Sequence, residues 1–325
     1  MKKNVYLLIF LFVLTFWSVP MDAQDPDFSQ FYNNPIYTNP AFTGSEFNRI
    51  SLASRVQYYG LPGGFVTQNI AYDQHIKKIK GGLGFMYTHD VAGEGVLTAN
   101  HVYASYSFEK EVMDKFCFRF GIQAGILQKS LQWNQLRWGD NIIAQLGFLT
   151  PTNTTLVDRS ITLANFNAGA LVYSRKFYAG IAVHNLTQPN QSFFGESGPG
   201  TILPCRYTVH GGALFTINPQ NTTSATLSPN FLLLFQDAFN QLNLGVTLHK
   251  AHFSIGSYFR QTTPNSDAII SMVGFQKGRF KVGYSLDITI SQLRSAGKAA
   301  HEFAIIYHVG TKGQKRLIPS PTFGF

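Results

Sequence analysis

Few residues in this chain are spaced for chemistry. His249 and His252 stand three apart, a separation found among metal ligands, but no carboxylate or third ligand lies near them in sequence and they flank a tight-turn position. No Gly-x-Ser-x-Gly elbow and no Gly-x-x-x-x-Gly-Lys phosphate loop occurs. No cofactor site is therefore expected, and an enzyme would have to assemble a Ser–His site from distant segments. The residues with chemical content are instead charges set singly into apolar-alternating stretches: Arg55, Arg119, Arg206, Arg260, Asp287 and Glu302. Their chemistry is ion pairing and hydrogen bonding.

The elements that carry these charges show the period of a strand. In Phe280-Lys281-Val282-Gly283-Tyr284-Ser285-Leu286-Asp287-Ile288-Thr289-Ile290, every even position is apolar and every odd one is polar or glycine. Successive strand side chains point to opposite faces, so one face is apolar and the other wet. The same pattern recurs near 49–59, 65–76, 81–90, 96–109, 115–128, 160–174, 177–187, 205–217, 223–236, 239–249, 252–262, 267–276, 279–291 and 300–311, with no amphipathic helix between. About fourteen such strands predict an all-β fold, a transmembrane antiparallel β-barrel with an apolar outside and a polar lumen. A soluble sandwich would need exposed faces rich in Lys and Glu. Here Phe116, Phe118, Phe120 and Ile122, or Leu242, Leu244, Val246 and Leu248, alternate with Gly, Asn, Gln, Thr and Arg.

Composition agrees. Charged residues make up 13%, against about 25% in soluble domains. The chain carries 29 Phe, 15 Tyr and 29 Gly, which suits a lipid-facing wall with crowded lumenal positions. The net charge of +9 is scattered rather than clustered, so nucleic acid is not expected, and outer-membrane lipid or an acidic partner is. Residues 1–23, with Lys2 and Lys3 ahead of an apolar run and Met21-Asp22-Ala23 at its end, read as a signal peptide. Residues 24–48, holding Pro26, Pro35 and Pro40, read as an N-terminal segment tucked into the lumen or along the periplasmic rim. The barrel is expected over 49–311, with a tail over 312–325. Cys117 and Cys205 lie some three strands apart and are expected to remain unpaired.

A charge facing lipid near the midplane would cost about 2–4 kcal/mol, so Arg55, Arg119, Arg206, Arg260, Lys281, Asp287 and Glu302 are expected to point inward. Arg55, Asp287 and Glu302 fall near the closing seam. They are expected to form an arginine–carboxylate cluster that braces the seam or holds the N-terminal segment. A cargo-binding network is the alternative. Gln57 is added to the candidates, as are Trp133 and Trp138 in the long loop after the fifth strand.

The start of the mature chain, Asp25-Pro26-Asp27-Phe28-Ser29-Gln30-Phe31-Tyr32-Asn33-Asn34-Pro35-Ile36-Tyr37-Thr38-Asn39-Pro40-Ala41-Phe42-Thr43-Gly44, resembles the opening signature of the PorP/SprF family, outer-membrane proteins of the type IX secretion system. The resemblance continues at Arg55-Val56-Gln57-Tyr58-Tyr59-Gly60-Leu61-Pro62-Gly63, Gly81-Gly82-Leu83-Gly84, Gly283-Tyr284-Ser285-Leu286-Asp287 and His301-Glu302. Tyr58 and Leu286 depart from the family's usual Trp and Tyr. The resemblance implies a non-enzymatic barrel that helps secrete or anchor a surface protein bearing a type IX sorting domain, alongside periplasmic or peptidoglycan-linked components. Some members of the family work with gliding or adhesin proteins. A passive channel is the competing expectation, and it requires a water-filled lumen.

Overall fold

A computed structural model describes residues 25–46, 48–58, 63–112, 115–133, 142–143, 147–148, 159–195, 200–217, 225–263, 268–290 and 299–309. Fourteen strands close into one antiparallel barrel. They are β1 (Arg49–Gln57), β2 (Phe65–Ile76), β3 (Gly81–Ala92), β4 (Leu97–Val112), β5 (Phe116–Leu131), β6 (Arg159–Tyr173) and β7 (Phe177–His184). The second half comprises β8 (Arg206–Ala213, resuming as Phe215–Ile217), β9 (Ala225–Gln236), β10 (Phe239–Lys250), β11 (Phe253–Thr263), β12 (Ala268–Lys277), β13 (Phe280–Thr289) and β14 (Ala300–His308). Each strand pairs with its sequence neighbours, and β1 pairs with β14 from Arg49↔His308 to Val56↔His301. Closure leaves no unpaired edge, the condition for a sheet in lipid.

The alternation read from the sequence sorts the two faces. Along β5, Phe116, Phe118, Phe120 and Ile122 are exposed while Cys117, Arg119, Gly121 and Gln123 are buried. Among the described residues, outward positions away from the two rims carry no Lys, Arg, Asp or Glu. The main departures from the expected strands are at their ends. β7 stops at His184, because Asn185 turns with positive φ and Leu186 hands its amide to Phe166. β8 is interrupted at Leu214, whose amide bonds Lys176. Cys117 and Cys205 are both free.

The two rims differ. At one, the connections are short: 77–80, 113–115, 174–176, 218–224, 251–252 and 278–279. The other carries the two long connections, 132–158 and 185–205. Outer-membrane barrels place short turns in the periplasm and long loops outside, so Asn48 and Val309 both lie at the periplasmic rim.

Candidate functional site: a plug locked in the lumen

Residues 25–46 fill the lumen. The segment has no strand period, and its shape comes from two Asn-Pro steps. Pro35 opens a single helical turn, Pro35–Thr38, where its missing amide costs nothing. Asn39 ends that turn and caps the next, Pro40–Phe42, by accepting from the Ala41 amide at 2.8 Å. Thr38 Oγ1 donates back to the Phe31 carbonyl at 2.9 Å. The Tyr37 hydroxyl donates to the Pro26 carbonyl, and the Phe28 and Tyr37 rings meet edge to face at 5.1 Å.

The plug runs from the outer end of the lumen to the inner. At the outer end Asp25 accepts from Asn185 at 2.7 Å and faces Arg206 at 3.7 Å, both at the extracellular ends of their strands. Asp27 accepts from Gln241 at 2.6 Å. At the inner end Gly44 donates its amide to Asp73 at 2.7 Å, and Arg49 holds the same carboxylate through Nε and Nη2 at 2.9 and 3.0 Å. Glu46 closes the path against His308 at 2.7 Å and Arg49 at 3.6 Å. Burial would raise both plug carboxyls. Their partners reverse this: Arg206 foremost holds Asp25 below its usual value, and Lys281, His308 and Arg49 hold Glu46 well below the carboxylate range.

The densest cluster grips Ser29. Its amide donates to Glu302 Oε2 at 2.7 Å and the next amide, of Gln30, to Oε1 at 3.0 Å, so one carboxylate takes two consecutive plug amides. Its hydroxyl donates to Asp287 at 2.5 Å and accepts from Arg260 at 2.7 Å and from Arg55. Arg55 lies 2.9 Å from Asp287 and 3.3 Å from Glu302, and Arg260 lies 2.8 Å from Asp287. All these charges are buried, and each has opposite charge and hydrogen bonds to offset desolvation.

The other candidate residues are dispersed. Arg119, wholly buried, pairs with Glu109 and donates to the plug carbonyls of Ala41 and Thr43. Arg206 belongs to the Asp25 end, with its guanidinium over the Tyr37 ring at 5.0 Å. Gln57 is half-buried at the extracellular end of β1. Trp133 packs on Phe194 at 5.7 Å in the outer loops, away from the plug, and Trp138 lies outside the described residues. Sequence reasoning missed Asp25, Asp27, Ser29, Arg49, Asp73 and Glu109. The lumen phase of Asp73 and Glu109 in their strands was the available signal.

Two glycines on the wall let the plug pass. A Cβ at Gly121 would lie 2.3 Å from Ala41 N and Pro40 C, and one at Gly82 would lie 2.5 Å from the Thr43 carbonyl oxygen. Three cavities beside the plug, near Phe31 and Phe42, near Phe28 and Leu234, and near His101 and His184, measure about 10, 10 and 20 Å³. Each has room for about one water. Among the described residues no group of His, Cys, Asp and Glu is arranged to hold a metal.

The family model for type IX secretion system membrane proteins PorP/SprF matches residues 21–307. The chain belongs to this family. Among solved structures, the toluene transporter TbuX of Ralstonia pickettii is similar with a TM-score of 0.54 at 11% identity, over 85% of this chain and 93% of that one. Acinetobacter baumannii Omp33 (0.45, 8%, 82% and 100%) and a Pseudomonas aeruginosa FadL homologue (0.45, 13%, 85% and 94%) are more distant. No curated protein matches. At such identities the likeness speaks for the fold alone. Family and fold together make this PorP/SprF protein a multi-pass β-barrel of the outer membrane.

Proposed function

We propose that this PorP/SprF protein acts in type IX secretion by binding proteins at its rims and conducts nothing through its lumen. It would help secrete or anchor a surface protein bearing a sorting domain, together with periplasmic or peptidoglycan-linked components. On this reading residues 1–23 are a removed leader. The observation that carries the proposal is the locked plug: Arg55, Arg260, Asp287 and Glu302 converge on Ser29, and the three cavities described beside it hold about one water each. A passive channel needs a continuous wet path, and a segment held by ion pairs at both ends and by a buried charge cluster at Ser29 opposes one. On this reading the long outer connections, 132–158 and 185–205, would carry the contacts with cargo.

The test is purification of the full chain from native outer membranes in mild detergent, with mass spectrometry of what stays bound. A sorting-domain protein or periplasmic secretion components in near-stoichiometric amount are expected. A solitary barrel that conducts ions in a planar bilayer would overturn the proposal in favour of a channel.

A further inference from the structure

The basic excess of the chain gathers at one rim. Lys77, Lys78 and Lys80 sit exposed on the turn after β2. Lys110 and Lys115 flank the turn after β4, and Arg175 and Lys176 form the turn after β6. Lys250 ends β10, and Lys277 and Arg279 bracket Gly278 after β12; all are exposed. Of the six periplasmic connections, 77–80, 113–115, 174–176 and 278–279 carry Lys or Arg, and Lys250 directly precedes 251–252. Asp114 is the one acidic residue in the sequence of these connections; among the described residues no Asp or Glu is exposed there, and Glu111 is half-buried on the lumen phase. The outer rim is mixed, with exposed Glu94, Asp237 and Arg159. Lumenal arginines do not contribute to the imbalance, since each is paired with carboxylates.

Just inside the basic turns lies a belt of outward aromatic rings. Phe177 meets Phe215 at 6.2 Å, Phe253 meets Phe275 at 5.2 Å, and Phe280 meets Tyr307 at 4.6 Å. Rings at that depth mark the level of the headgroups. Flexible cationic side chains set just beyond them reach the phosphates from the water side.

We propose that the periplasmic rim is a selective binding surface for anionic phospholipid headgroups of the inner leaflet, with cardiolipin-like diphosphates as the best fit. The charges recur on turns spread around the barrel, from the one after β2 to the one after β12, as contact with a lipid annulus would require, whereas a docked protein would need its charge on one sector. Each basic residue at an anionic surface strengthens the preference by about fivefold.

The full chain is reconstituted into phosphatidylethanolamine vesicles containing a minor share of cardiolipin, re-extracted, and weighed with its bound lipid by native mass spectrometry. Cardiolipin is expected about tenfold above its share of the bilayer, falling towards that share at about 0.5 M salt. It should fall likewise in the Lys77→Gln, Lys78→Gln, Lys80→Gln, Arg175→Gln, Lys176→Gln variant, whose folding is checked by heat-modifiable migration. Should the variant not fold, the salt series on the native chain decides. Binding at the bulk share, or unchanged in the folded variant, overturns the proposal. So does preference for lipopolysaccharide over cardiolipin in mixed vesicles, which would place these charges in the outer leaflet. An acidic protein lost from the variant while its lipid is unchanged would assign these charges to a protein partner instead.

Discussion

The amide of Ser29 donates to Oε2 of Glu302 at 2.7 Å, joining the start of the plug to the strand that closes the barrel. Arg55 approaches that carboxylate at 3.3 Å from β1, so the seam and the plug share one charge cluster.

Arg55→Ala leaves Glu302 buried with plug amides but without its cation. The expected loss is about 3–5 kcal/mol, read as a lower midpoint for the heat-modifiable shift of the folded barrel. The Arg55→Ala, Glu302→Ala pair should recover part of it, because neither charge is then left alone.

Gly121→Val forces a branched side chain into the plug backbone at Pro40 and Ala41. The wall strand is held by ladders on both sides, so the plug should yield first. Proteolysis within residues 25–46 and conductance in planar bilayers should both rise, while the barrel keeps its heat-modifiable migration.

Deleting residues 25–44 removes the main occupant of the lumen. The native chain should be silent in a planar bilayer and the deletion should conduct in steps. A silent deletion would mean that the outer connections seal the barrel by themselves.

Acid should loosen both ends of the plug. Asp25 and Glu46 have folded-state pKa values below their ordinary ones of 3.8 and 4.5. Their contribution is thus present above about pH 4.5 and is lost as pH falls through the lower folded values. Hydrogen exchange of residues 25–46, corrected for intrinsic rate, should rise between pH 5 and pH 3, with the strand amides lagging.

Strands such as β13 and β5 were legible because their alternation is imposed by lipid on one side and water or plug on the other. Inward placement of Arg119, Arg260, Asp287 and Glu302 follows from the same phase. The path of residues 25–46 was not legible, since its partners are hundreds of residues away and no local period records them. Asn39 illustrates this: its side chain reaches the carbonyls of Ala170 and Ile181, which no pattern around position 39 announces. Strand ends at His184 and Leu214 escaped for a related reason, since backbone bonds to other segments set them.

Glu302 also bears on the order of assembly. It stands on the last strand to be synthesised, 273 residues after the Ser29 amide that it accepts from. Bringing such distant points together is entropically slow, and the reward comes only at the end. The N-terminal segment therefore waits without its main anchor until β14 meets β1, and seam closure and plug capture become one cooperative event. A chain released before β14 would lack both a closed wall and a fixed plug, which gives the biogenesis of this barrel a built-in test of completeness.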